Sequence, residues 1–157
     1  MKITLICVGK TDVSWVREGL ATYTGRLMHY VPFSVVEIPE LKNVSSWTQE
    51  QIKDREGELI LKAVRPSEEV ILLDEHGREY RSVEFADWLQ GHLSRSGRDL
   101  VFVIGGAYGF SDAVYARSDG KLSLSRMTFS HQMVRTIFAE QLYRAFTILR
   151  GEPYHHE

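Results

Sequence analysis

The chain of 157 residues has one cysteine, Cys7, so no intramolecular disulfide can form. That excludes a small fold held by crosslinks. Cys7 lies inside an apolar run, where a buried, inert thiol is expected, in keeping with a reducing compartment. No apolar stretch approaches the roughly 18 residues of a membrane span. The N-terminal run Ile3 to Val8 is shorter than most signal-peptide cores, and Asp12 follows soon after. A cytoplasmic protein with no membrane partner is therefore expected. A strong charge of either sign is also lacking: 19 Lys+Arg against 21 Asp+Glu leave −2. This argues against gripping nucleic acid by bulk electrostatics. None of the six histidines has zinc-ligand spacing with cysteine or acidic partners, so no metal is expected. Repeats, low-complexity tracts and Pro/Gly/Ser linkers are missing, which points to one domain over 1–157.

What is present reads as alternating strands and helices. Ile3 to Gly9 is an apolar first strand. Val16, Leu20, Tyr23 and Leu27 follow helical spacing over about Val13 to His29, weakened by Gly19 and Gly25. Phe33 to Ile38, bracketed by Pro32 and Pro39, is the second strand. Glu40 to Trp47 forms a polar loop. Thr48 and Gln51 have capping-box spacing and open a helix that ends before Pro66. Val70 to Leu73 is the third strand, and Asp74-Glu75-His76-Gly77 reads as a turn after it. Ser82 starts a helix with Phe85, Ala86, Leu89 and Leu93 on one face. Leu100 to Ile104 is the fourth strand, Ser111 to Arg117 a short helix, and Leu122 with Leu124 a brief fifth strand. A last helix runs from about His131 to Leu149. Its apolar residues make more than one stripe, which suggests burial against its own sheet and against a partner. Strands separated by helices imply a parallel sheet covered on both faces, an α/β fold whose ligands bind beyond the carboxyl ends of the strands.

Three segments fall at those carboxyl ends: Leu73, the loop Gly105-Gly106-Ala107-Tyr108-Gly109, and Leu124 to Phe129. The glycine loop is not a dinucleotide fingerprint, because Ala107 and Phe110 stand where glycines are required. Adjacent glycines still let a ligand approach the main chain closely. Gly9-Lys10-Thr11 resembles the end of a phosphate-binding loop, but Thr4 replaces the upstream glycine. His29 and His92 suit helix C-termini. His131, beside the apolar loop, suits capping and function about equally. Arg135 and Arg144 lie off the most apolar face of the last helix, where solvation is the plain expectation and phosphate or base recognition the alternative. Residues 117–157 carry six Lys+Arg and four Asp+Glu, so the basic excess sits beside these loops. No Ser-His-Asp or Cys-His constellation is readable, and the only carboxylate pair at a strand end is Asp74-Glu75. Chemistry without a covalent intermediate fits better, such as methyl transfer from an activated sulfonium donor.

These segments carry a likeness that covers essentially the whole chain. Met1 to Lys10, Phe102-Val103-Ile104-Gly105-Gly106, Leu122 to Phe129, His131-Gln132-Met133-Val134-Arg135 and Glu140 to Ala145, in this order, resemble the RlmH family, bacterial 23S rRNA pseudouridine methyltransferases of the SPOUT superfamily. The resemblance implies a parallel-sheet α/β SPOUT fold with a C-terminal trefoil knot, and a homodimer. It implies S-adenosylmethionine held by Leu73, by Gly105 and by Leu124, Ser125, Arg126, Met127, Thr128 and Phe129. It implies methylation at N3 of a pseudouridine in helix 69 of 23S rRNA on the assembled 70S ribosome. It implies substrate engagement by the tail, Tyr154 and His155, with Arg135 nearby. Tyr154 and His155 are the catalytic candidates, and Arg135 and His131 those toward the substrate. Two departures stand out: Ser130 occupies a place where the family often has proline, and His156 one where Lys or Arg is frequent. The alternatives are a non-catalytic nucleotide-binding module associated with ribosomes, or a SPOUT methyltransferase acting on tRNA or a ribose 2′-hydroxyl.

Overall fold

A computed structural model describes all residues, Met1–Glu157. The elements run β1 (Ile3–Val8), α1 (Ser14–Leu27), β2 (Phe33–Ile38), α2 (Gln49–Lys62), β3 (Glu69–Glu79), α3 (Ser82–Arg95), β4 (Leu100–Ile104), α4 (Asp112–Arg117), β5 (Gly120–Ser123) and α5 (Met133–Leu149). The five strands form one sheet in the order β2-β1-β4-β3-β5, every pair parallel. Parallel pairing with helical crossovers buries both faces, and the strand residues divide between two cores accordingly. Ile3, Leu5, Cys7, Phe102 and Ile104 join the core under α1, α3 and α5. Ile6, Val8, Leu72, Val101 and Val103 join the one that faces α2 and α4. No helix is long and apolar enough to cross a membrane.

Several local expectations hold for the stated reasons. Thr48 and Gln51 form the capping box reciprocally, at 2.8 and 3.1 Å. Cys7 is buried, and burial pushes its thiol up to about 12. Gly19 has a use: a Cβ there would fall 2.9 Å from Thr136 Cγ2, so the missing side chain lets α1 lie against α5.

Other expectations are corrected. Asp74 to Gly77 is a bulge within β3 and not a terminal turn, because Leu73 and Arg78 both pair with Leu122 and the strand resumes to Glu79. Strand five ends at Ser123, which leaves Leu124 in the following loop. The last helix begins at Met133; Ser130 Oγ accepts the N–H groups of Gln132 and Met133 and so starts it. Much of its apolar surface is met inside the chain, since α5 lies between α1 and α3 on the sheet and shares their core, while Met133 at its start stays exposed. His92 does not serve helix-end carbonyls; its Nδ1 pairs with Glu69 at 2.6 Å.

Candidate functional site

Register alone gathers the site. Leu73 pairs with Ile104 on one side and with Leu122 on the other. Leu73, Gly105 and Leu124 therefore reach one edge of the sheet together. Between them opens a cavity of about 710 Å³, within the range typical of small-molecule sites. Leu73, Gly105, Leu124, Ser125, Met127, Thr128, Phe129 and His131 line it, as do Val134 and Leu122. Arg126 does not: its side chain is 87% exposed and pairs with Glu79 at 2.9 Å.

Each wall has a local cause. Gly105 is needed because a Cβ would stand 3.0 Å from the ring of Phe110, which is itself buried. The loop then closes as a turn, with the Gly109 N–H donating to Gly106 O at 3.2 Å and Gly109 at φ +85°. That left-handed conformation favours glycine. Behind the turn, the Glu56 carboxylate occupies the space a Gly106 side chain would fill. One Glu56 oxygen is buried without a hydrogen-bond partner. Burial, then the neighbouring Glu40 carboxylate, raise the affinity of Glu56 for its proton.

The acidic wall is the β3 bulge. Asp74 Oδ1 accepts the His76 N–H at 2.8 Å, and Asp74 Oδ2 accepts the Tyr115 hydroxyl. Burial and then this carboxylate push the Tyr115 phenol up to about 12, so it stays a donor at neutral pH. Glu75 Oε2 accepts from Thr128 Oγ1 at 3.1 Å, tying the bulge to the apolar loop. Gly77 has no room for a side chain, which would meet the main chain of Lys121 and Leu122 at 2.7–2.8 Å.

The fourth wall is the start of α5, and here Arg135 departs from expectation. It is fully buried, neither solvated nor facing a substrate. Its guanidinium donates to His131 O at 3.0 Å, Gly9 O at 3.0 Å, Thr11 Oγ1 at 2.7 Å and Val8 O at 2.9 Å. Glu37 lies 3.7 Å away. Gln132 extends the same seam, donating to Lys10 O and accepting from the Asp12 N–H. Arg135 thus pins the end of β1 to the turn that carries His131. Burial would raise the Glu37 carboxyl, but hydrogen bonds from Thr11 and the Arg135 charge outweigh it and hold the group below its ordinary value.

The tail does not reach the cavity of its own chain. The Tyr154 hydroxyl sits 3.4 Å from both Glu140 Oε1 and the Tyr23 hydroxyl, and its ring lies under the Arg144 guanidinium. Burial, then Tyr23, raise its phenol, keeping it protonated at neutral pH. His155 Nδ1 faces Arg144 Nη1 at 3.1 Å, and its Nε2 faces Glu157 at 3.1 Å. Arginine only donates, so Nδ1 accepts and the proton lies on Nε2. Arg144 is not a free solvated cation, since Glu140 holds it at 2.7 Å.

Sequence reasoning noted Asp74-Glu75 as a carboxylate pair but missed Tyr115 and Glu56. Tyr115 meets Asp74 across 41 positions of sequence, so no local pattern signals it.

A family model described as "Predicted SPOUT methyltransferase" matches residues 1–155. The protein named Ribosomal RNA large subunit methyltransferase H from Parabacteroides distasonis is 53% identical over 157 residues, the whole of both chains. Its namesake from Bacteroides fragilis is 55% identical over 157 residues, again the whole of both. That from Christiangramia forsetii is 51% identical over 156 residues, 99% of each. Among solved structures, the SpoU methyltransferase AviRb from Streptomyces viridochromogenes, in complex with AdoMet, aligns at a TM-score of 0.46 and 12% identity. That alignment covers 96% of this chain and 61% of the other.

Proposed function

The chain belongs to the SPOUT methyltransferase family, and from that premise we propose that it methylates large-subunit ribosomal RNA, at N3 of a pseudouridine in helix 69 of 23S rRNA, on the assembled 70S ribosome. The observation that carries the reading is the cavity at the carboxyl edge, walled by the ends of three adjacent strands, in a chain alignable from end to end with relatives of that name.

The residues present suit S-adenosylmethionine. Leu73, Leu122, Leu124, Phe129 and Val134 offer apolar contact for an adenine ring. The bare main chain at Gly105 allows close approach. Asp74 and Glu75 give the wall a negative charge that favours a cationic sulfur. When bound, that molecule supplies an activated methyl group. The protein's task is then to align the acceptor nitrogen with it, exclude water and receive a proton. The N3–C bond forms as the S–C bond breaks, N3 loses its proton, and a neutral thioether leaves.

Tyr154 and His155 are our candidates for the acceptor side, with His131 at the cavity rim toward the RNA. In its own subunit the tail is held on α5, so the reading places the tail of one subunit at the cavity of the other. Tyr154 serves there as a neutral donor. His155 can take a proton only by releasing Arg144 from Nδ1. Homodimer formation would cover Met127 and Met133, in the loop before α5 and at its first residue, and Trp15 at the start of α1, which are 78, 41 and 60% exposed. Family membership also carries the C-terminal trefoil threading and a cytoplasmic location into this reading.

The test is methyl transfer from labelled S-adenosylmethionine to ribosomes of a strain that lacks the modification, with mass mapping of the product. Label at N3 of the helix 69 pseudouridine is expected. No label, or label on a ribose 2′-hydroxyl or on tRNA, would overturn the assignment.

A further inference from the structure

A second cavity, of about 220 Å³, opens on the α3 side of the sheet's β5 edge. Its rings come from Tyr80, Phe85, Trp88 and His92. Phe85 and Trp88 stack with centroids 5.7 Å apart and planes 14° apart. Tyr80 tilts against both. The rim holds Arg78, whose guanidinium lies 4.7 Å above the Tyr80 ring. Lys121 lends its main chain, and its ammonium lies over the Tyr115 ring on the other face of the sheet, 5.5 Å from the centroid. Of the two acids of the wall, Asp119 is committed, taking the Val70 N–H and Arg117. Glu69 Oε2 is buried 2.6 Å from His92 Nδ1 without a hydrogen bond. Arg78 is exposed and in no ion pair, so it is the cation at this mouth that can meet a ligand. Leu122 lines this cavity and the larger one, so the two are neighbours.

Aromatic faces with a free guanidinium at the rim are the combination that holds an unstacked base with its phosphate. The volume is too small for a whole cosubstrate and suits a single ring system. Resting on the RNA-methylating reading above, we infer that this cavity binds one unstacked nucleotide of the substrate RNA outside the target position. Its base lies on Tyr80 and Trp88, and its phosphate lies on Arg78. The bound nucleotide fixes how the RNA approaches the neighbouring larger cavity. This second grip supplies binding that the chain's overall charge of −2 does not.

The test uses the full chain in the methyl-transfer assay, with KM for ribosomes and KM for S-adenosylmethionine measured separately. Base–aromatic stacking is a sequence-tolerant grip whose loss on alanine substitution is readily measured. Arg78→Ala with Tyr80→Ala is expected to raise the ribosome KM about tenfold and leave the donor KM within about twofold. Tyr80→Phe, which keeps the ring, is expected to keep the ribosome KM. Arg78 is exposed, so Arg78→Ala alone, expected to raise that KM about threefold, serves if the double variant does not fold. A ribosome KM unchanged in both overturns the inference. Trp88 fluorescence, read in a Trp15→Phe, Trp47→Phe chain, separates the sources of the nucleotide. Quenching by a single-stranded RNA hexamer at lower concentration than by uridine monophosphate supports an RNA site. Saturation by the mononucleotide alone overturns it. This optical arm needs no methyl transfer, so an inactive wild type would sink the function above while this measurement still decides the site.

Discussion

Replacing Arg135 by methionine removes a fully buried charge and keeps much of the side chain's volume. Four oxygens lose their donor: Val8 O, Gly9 O, Thr11 Oγ1 and His131 O. Glu37 loses a cation 3.7 Å away. Hydrogen bonds to a charged group contribute about 1.5–3 kcal/mol each, so four would give an upper bound near ~6–12 kcal/mol. Desolvation of the guanidinium offsets much of that, and breaking a buried ionic network by removing one partner costs about 3–5 kcal/mol. For a chain of this size each kcal/mol lowers Tm by about 2–4 °C, so a fall of about 6–20 °C is expected in scanning calorimetry at pH 7. The gap between wild type and variant should narrow in acid. Glu37 has a folded pKa below the ordinary 4.5 and stabilises the fold above that value. That contribution is lost as pH falls through the lowered folded value, and the part owed to Arg135 goes with it. A Tm within about 3 °C of wild type, together with a raised ribosome KM, would refute the tether and return Arg135 to the substrate.

Gly105→Val must displace the buried Phe110 ring, and overpacking of about 1–3 kcal/mol should weaken S-adenosylmethionine binding at least about tenfold in calorimetry. An unchanged Kd would remove the glycine loop from the site. Glu56→Gln should raise Tm at pH 8 in scanning calorimetry, and a lowered Tm there would refute the burial cost assigned to this carboxylate. Because the folded pKa of Glu56 is raised, folding is favoured below its unfolded value and disfavoured as pH climbs through the folded one, so this gain should shrink towards pH 4. Met127→Glu with Met133→Glu should convert a dimer to monomers in light scattering; a variant that stays dimeric would put the interface elsewhere. Mixing Gly105→Val chains with chains cut before Tyr154 should restore about a quarter of wild-type methyl transfer, since half the dimers then hold one complete site out of two. Mixtures as inactive as either parent would remove the partner's tail from the reaction.

The strands were legible because both sheet faces are covered and apolar runs have little else to be. The cavity was legible in outline for a related reason: once β3, β4 and β5 are neighbours in a parallel sheet, their carboxyl ends must meet. What escaped depends on partners distant in sequence. Asp74-Glu75-His76-Gly77 has the chemistry of a turn, and locally it is one, with the Asp74 side chain bonded to the N–H two residues on. It is a bulge only because Leu122 pairs on both sides of it, and nothing near residue 74 states that. Arg135 escaped more completely. Helical periodicity ranks a position by its neighbours three and four residues away, and by that measure an arginine off the apolar stripe belongs in water. Its burial was decided by the carbonyls of Val8 and Gly9 and by Thr11, more than a hundred positions upstream. A charged side chain can be buried wherever enough acceptors converge, and convergence is a property of the fold. The same reasoning bears on the tail. Tyr154 and His155 follow α5, yet they lie along it on Tyr23, Glu140 and Arg144 and away from the cavity. On the proposed reading the tail that completes a cavity comes from a second subunit, so activity should require the dimer even where the isolated subunit folds and binds its donor.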